Sequence, residues 1–192
     1  MLARHCVAVT ASPTATQRLA RMDDAPAIAT LMRASVLELF PRFYDERQTA
    51  SAVVHVAHLD TVLIEDGTYY VHEAGGEIVA CGGWSRRNKL HAGKGDRPDD
   101  DRLLDPLTEP ARVRAMFVRS DWTRRGLGRA ILESCERAAR AEGFTTLALM
   151  ATLPGEPLYR ACGFRETGRT MVVTPDGIAL EGVTMERAIE PD

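Results

Sequence analysis

Residues 112–118 alternate polar and apolar side chains and then give the apolar run Met116, Phe117, Val118. That pattern predicts a strand at the centre of a sheet. From Arg129 the period changes. Ile131, Leu132, Cys135, Ala138 and Ala139 fall on one helical face, Glu133, Glu136, Arg137 and Arg140 fall on the other, and Gly143 supplies a stop. Between strand and helix lies a short basic turn, Thr123 to Gly128. The rest of the chain is arranged around this unit.

Upstream, Gln17 to Arg21 reads as a short first strand after a poorly ordered extension over residues 1–16 that is rich in Ala, Ser, Thr and Pro. Asp23 and Asp24 before Pro26 open a helix that carries Ile28, Leu31, Met32, Ser35 and Val36 at helical spacing. Pro41 breaks it, and a second helical segment runs from about Arg42 to Asp60. Thr61–Glu65, Thr68–Glu73 and Glu77–Ser85 are strand-like, the last two joined by the turn Ala74-Gly75-Gly76. Gly82 and Gly83 inside the third run mark a bulge or the close approach of another group. Trp84 and Ser85 beside them are therefore candidates for contact with a substrate as well as for plain packing.

Residues 86–110 form a long polar loop with Asp99-Asp100-Asp101 in its middle, a solvated acidic run without the alternating ligands of a hard-metal site, and no metal is expected. Downstream, Phe144–Ala151 is another strand, and Pro157 opens a short helix that holds Tyr159. Thr170–Thr174 and Ile178–Glu186 flank Pro175-Asp176-Gly177 and should make a terminal hairpin. The order is that of one α/β domain with a mixed sheet flanked by helices, spanning residues 17–190.

The chemistry concentrates in the basic turn. A helix opening on glycines exposes backbone N–H groups that have no partner, and these with the positive end of the helix dipole favour an anionic oxygen. Gly126 and Gly128 let backbone approach a ligand, and Arg124, Arg125 and Arg129 add charge around the same point. A pyrophosphate fits such a site; a merely tight connection is the competing reading. A dinucleotide-binding fingerprint fails because Ile131 stands where a third small residue is required, and no Gly-Lys-Ser/Thr triplet supports a P-loop.

The segment Arg124-Arg125-Gly126-Leu127-Gly128-Arg129-Ala130 after an apolar strand resembles the acetyl-CoA pyrophosphate loop of the GNAT N-acetyltransferase superfamily, although the first motif position is Thr123 instead of Gln or Arg. Pro157-Leu158-Tyr159-Arg160-Ala161-Cys162-Gly163-Phe164 resembles the family's closing Leu/Phe-Tyr-x-x-x-Gly-Phe segment. The resemblance implies a central splayed mixed sheet and acetyl-CoA as cosubstrate. It places the pantetheine arm on Met116, Phe117 and Val118, and makes Tyr159 the acid that protonates the leaving thiolate. It also implies an acceptor wall built by the two helices after the first strand, where Phe40, Phe43 and Tyr44 could face an amine. Many family members carry a glutamate on the central strand, and here 112–118 holds no acid. Glu73, Asp45, Glu46, His72 and His91 stay open as bases.

Composition narrows the partners. With 24 Lys and Arg against 27 Asp and Glu, the net charge of -3 gives no general attraction to nucleic acid or membrane; the resemblance implies a small molecule or peptide bearing an amine as the acceptor. No apolar run reaches the ~18 residues of a membrane span, and residues 1–16 lack the apolar core of a signal peptide. Cys6, Cys81, Cys135 and Cys162 are scattered without paired or metal-ligand spacing, which favours free thiols and a cytoplasmic location. The terminal hairpin offers an edge through which two copies could pair. A CoA-binding module without catalysis, and an ATP- or NAD-binding enzyme, are the alternative functions.

Overall fold

The computed structural model describes residues 14–90 and 101–190. Most of the expected N-terminal extension, His91 and the first two aspartates of the acidic run lie outside the described residues. In chain order the elements are β1 (Thr16–Leu19), α1 (Ala25–Leu39), α2 (Glu46–His55), α3 (Val62–Glu65), β2 (Tyr69–Ala74), β3 (Glu77–Ser85) and β4 (Ala111–Val118). They continue as α4 (Leu127–Ala141), β5 (Thr146–Thr152), α5 (Glu156–Ala161), β6 (Arg165–Val173) and β7 (Ala179–Ala188). The seven strands form one mixed sheet ordered β1-β2-β3-β4-β5-β7-β6. Among the described residues only β4 and β5 pair in parallel, consistent with the helical crossover between them.

Each face of the sheet carries its own core. On one, Ile131, Leu132, Cys135 and Ala139 of α4 pack with Trp84, Val113, Leu147, Leu149 and Met185. On the other, Ile28, Leu31, Met32 and Val36 of α1 pack with Leu63, Tyr69, Val71, Cys81 and Phe117. Cys81, Cys135 and Cys162 are buried free thiols, and burial pushes the Cys81 thiol up to about 12. No helix among the described residues is long and apolar enough to cross a membrane.

One predicted strand is wrong. Thr61–Glu65 contains the helical turn α3, in which the Thr61 carbonyl accepts from the Ile64 and Glu65 amides. Leu63 and Ile64 are both buried although adjacent in sequence, an arrangement a helical turn permits and an alternating strand does not. Five residues are too few for periodicity to separate the two.

The two glycines of β3 do mark an irregularity. The register between β3 and β4 shifts between Cys81 and Gly83, opposite Ala115, which stands at a φ of 52°. A Cβ on Gly83 would lie 2.4 Å from the Thr68 carbonyl oxygen. The buried Tyr69 hydroxyl donates to the Ala115 carbonyl at 2.7 Å and holds the displaced peptide. Just before the bulge, Arg114 donates through Nη2 to Asp60 at 2.9 Å, tying β4 to the segment between α2 and α3. Burial alone would raise the Asp60 carboxyl; Arg114 and Lys89 beside it together outweigh that and hold it below its usual range.

Gly83→Ala should cost ~2–4 kcal/mol in urea unfolding, because the new methyl meets fixed backbone instead of a movable side chain. Asp60→Ala should cost ~3 kcal/mol near neutral pH by leaving Arg114 buried without its carboxylate. Since the Asp60 pKa is depressed in the folded state, the wild type's advantage is full above its unfolded value of ~3.9 and shrinks as pH falls through the folded value. Unfolding curves of both proteins between neutral pH and pH ~2 measure this directly.

Candidate active site

Parallel pairing between β4 and β5 is limited to Ala111 with Leu147 and Arg112 with Ala148. Beyond that point β5 stays paired with β7 through Thr152, while β4 turns away through its bulge. A cavity of about 570 Å³ opens there, lined by Val113–Val118 of β4 and Met150–Thr152 of β5. Met116, Phe117 and Val118, the three apolar positions singled out in the sequence, all border it.

The basic turn borders the same cavity. A short helical turn over Ser120–Trp122 leads into it, with Trp122 buried beneath. Arg124 and Gly126 both have positive φ, 64° and 83°. Nothing lies within 4 Å of the space a Gly126 Cβ would occupy, so glycine is required there by backbone conformation. Gly128 serves packing instead: a Cβ there would come 2.8 Å from a Leu158 methyl. The amides of the first turn of α4 have no intrahelical partners, and no side chain caps them. The ladder begins where the Ala130 amide bonds the Gly126 carbonyl at 3.0 Å.

The three arginines divide their roles. Arg124 and Arg129 line the cavity, and Arg129 Nη2 also donates to the Ala161 carbonyl at 3.3 Å. Arg125 lies outside the lining and stacks its guanidinium on Trp122, 4.4 Å from the ring centroid. Ala130 is likewise outside the lining, and Leu127 is within it.

Tyr159 enters from α5, whose first turn carries Pro157. Its ring meets Phe164 edge-on at 5.8 Å and borders the cavity, while its hydroxyl has no hydrogen bond to any described residue. Burial raises its pKa above the ordinary tyrosine value, so it keeps its proton at neutral pH.

Of the proposed acceptor residues, Tyr44 reaches the cavity together with Phe40, whereas Phe43 is exposed on the surface. The Tyr44 hydroxyl is spent on structure: it donates to the Glu181 carbonyl at 2.8 Å and accepts from the Leu153 amide at 2.9 Å. Trp84 and Ser85 are not brought to the cavity. Trp84 is a core residue packed on Phe144 at 5.9 Å, and the Ser85 hydroxyl accepts from the Arg87 amide at 3.0 Å. The glycines beside them accommodate the β4 bulge and the Thr68 carbonyl, which removes the reason for a substrate there.

The described base candidates from the sequence also lie away from the cavity. Glu73 is paired with Arg18 at 2.9 Å, Asp45 caps α2 by accepting from the Gln48 amide, and Glu46 lies exposed beside it at the start of that helix. His72 is buried with neither ring nitrogen partnered, and burial lowers its pKa. The one carboxylate among the described lining residues is Glu181 of β7. Nothing local in the sequence marks it, because it reaches the cavity only through the insertion of β7 between β5 and β6.

A sequence model of the acetyltransferase (GNAT) family matches residues 33–164. A search of curated proteins finds no match. Among solved structures, a GCN5-related N-acetyltransferase from Rhodopseudomonas palustris aligns at TM-score 0.68 and 20% identity over 94% of this chain and 98% of that one. The PaiA N-acetyltransferase of Thermoplasma acidophilum, determined in complex with coenzyme A, aligns at TM-score 0.62 and 12% identity over 91% of this chain and 99% of that one. The ribosomal-protein-S18-alanine N-acetyltransferase of Escherichia coli aligns at TM-score 0.56 and 19% identity over 93% and 96%. At these identities the structures attest the fold, while the sequence match spans both the glycine-bearing turn and the Tyr159 segment: the chain belongs to the acetyltransferase (GNAT) family.

Proposed function

We propose that the chain is an acetyl-CoA-dependent N-acetyltransferase that acetylates a primary amine by direct attack within a ternary complex. The observation that carries this reading is one cavity bordered at once by the uncapped start of α4 with Arg124 and Arg129, by the β4 edge released from β5, and by Tyr159. The coenzyme A complex of the Thermoplasma acidophilum relative supports the choice of ligand.

Acetyl-CoA supplies the activated acyl group. The first-turn amides of α4 and the two lining arginines would hold its phosphates. The backbone of Met116–Val118, without a strand partner on the β5 side, would accept the pantetheine arm and polarise the carbonyl. Tyr159 would give its proton to the departing sulfur. Burial keeps the phenol protonated, so the proton is in place when the sulfur departs, although the raised pKa lowers the driving force for giving it up. Among the described lining residues there is no cysteine, and the one serine, Ser35, lies on α1. Direct attack by the amine is the simpler route.

Saturating acetyl-CoA or coenzyme A, at ~100 times Kd, should stabilise the protein by ~2.7 kcal/mol, read as a melting shift of several degrees that ATP and NAD do not reproduce. A larger shift with ATP or NAD would remove the acetyl-CoA reading. Tyr159→Phe should lower kcat ~100-fold or more in an assay of thiol release while changing the acetyl-CoA KM little. Binding of coenzyme A without turnover above background on any amine would instead favour a non-catalytic CoA-binding module.

A further inference from the structure

Resting on the acetyl-CoA reading above, we infer that Arg125 is a positioning residue for the cofactor's phosphates. Its guanidinium stays on the Trp122 ring and holds the basic turn in its binding shape. Contact with phosphate falls to the first-turn amides of α4 and to Arg124 and Arg129. The geometry separates Arg125 from its neighbours. Arg124, Gly126, Leu127, Gly128 and Arg129 border the cavity, whereas Arg125 does not and lies with Cζ 4.4 Å from the Trp122 ring centroid. Its charge also reaches the Asp121 carboxylate, which Arg119 already bonds at 2.7 Å. The indole face is the best aromatic partner for a cation.

The turn needs such a tie. Arg124 stands at a φ of 64° and Gly126 at 83°. Glycine takes that conformation freely, but a residue with a side chain keeps it only where its surroundings enforce it. Upstream, the backbone is fixed as far as Thr123, whose amide and hydroxyl both donate to the Ser120 carbonyl, at 3.2 and 2.8 Å. Downstream, it is fixed from the Gly126 carbonyl, which accepts from the Ala130 amide at 3.0 Å. Between these points Arg124 and Arg125 make no backbone hydrogen bond to a described residue. The stacked side chain of Arg125 therefore ties this part of the turn to the core.

The ring that receives it is itself fixed. Trp122 is buried and clusters with Ala74 of β2, Val79 of β3, Val118 of β4 and Leu127 at the start of α4. Arg119 approaches the same ring at 5.9 Å but is held by Asp121 and Glu77, each at 2.7 Å. Arg125 thus passes the position of the sheet on to the turn. Loss of either the guanidinium or the ring frees Arg124 to leave its left-handed conformation, and the α4 amides and Arg124 would no longer converge on one pyrophosphate.

Coenzyme A binding, measured by calorimetry for the wild type, Arg125→Ala, Trp122→Leu and the double variant, tests this. Arg125 is exposed, and a cation–π contact at an exposed site amounts to a few-fold in an equilibrium constant. Arg125→Ala should therefore weaken binding ~5-fold while the ligand-free melting temperature stays within about 2 °C of the wild type's. The double variant should bind within ~2-fold of Trp122→Leu, because both changes remove one contact. Trypsin should cut ligand-free Arg125→Ala after Arg124 at least ~5-fold faster than it cuts the wild-type turn, although the variant has one site fewer. Single effects that multiply in the double variant would mean that Arg125 touches phosphate directly, and would overturn the inference while leaving the acetyl-CoA reading in place. Wild-type affinity in Arg125→Ala would overturn it as well. If Trp122→Leu does not fold, the proteolysis decides, and a cleavage rate equal to the wild type's overturns the inference. Absence of coenzyme A binding by the wild type would overturn both.

Discussion

A single backbone irregularity in the central strand determines the shape of this protein's cavity. Ala115 is held at a φ of 52°, and its carbonyl is bound by the buried Tyr69 hydroxyl. A non-glycine residue persists in that conformation only where its surroundings enforce it. Here they do so from three sides: Tyr69 takes the carbonyl, Gly82 and Gly83 leave no side chain in the way, and Arg114 anchors the preceding residue to Asp60. Without the bulge β4 would continue alongside β5, its peptide groups would be paired, and no wedge would open between the strands.

The wedge carries positive potential on one border. It comes from the start of α4 and from Arg124 and Arg129, where the helix lacks a side-chain cap. The one carboxylate among the described lining residues, Glu181, is paired with Arg169 at 3.0 Å. Tyr159, packed on Phe164 and bordering the same cavity, is neutral, and burial raises its pKa further. The buried Arg114 guanidinium is matched by Asp60 at 2.9 Å, and the partly buried Arg187 by Glu136 at 2.6 Å.

Some of this was legible along the chain because it depends on neighbours in sequence. The apolar run of β4, the glycine-bearing turn, the 3.6-residue period of α4 and the segment around Tyr159 are local patterns, and each appears where its residues predicted. The glycine pair of β3 announced a close approach but not its partner. That partner is the Thr68 carbonyl and the β4 bulge, so Trp84 and Ser85 beside the pair pack in the interior and meet no ligand cavity. Thr61–Glu65 shows the same limit, since five residues carry too little periodicity to distinguish a strand from a helical turn.

The sequence by itself determined the family, the order of most elements with α3 as the exception, and the two motifs, because these rest on side-chain type and spacing within a few residues. Only the tertiary structure decided which ionisable residues border the cavity. Glu181 is contributed by a strand that enters the sheet between β5 and β6, about sixty residues after β4, whereas Glu73, Asp45 and Glu46, equally acidic in sequence, are drawn into an ion pair, a helix cap and an exposed helix start. A carboxylate's chemistry depends on what faces it across the fold, and that is a property of strand order and packing, which local composition does not encode.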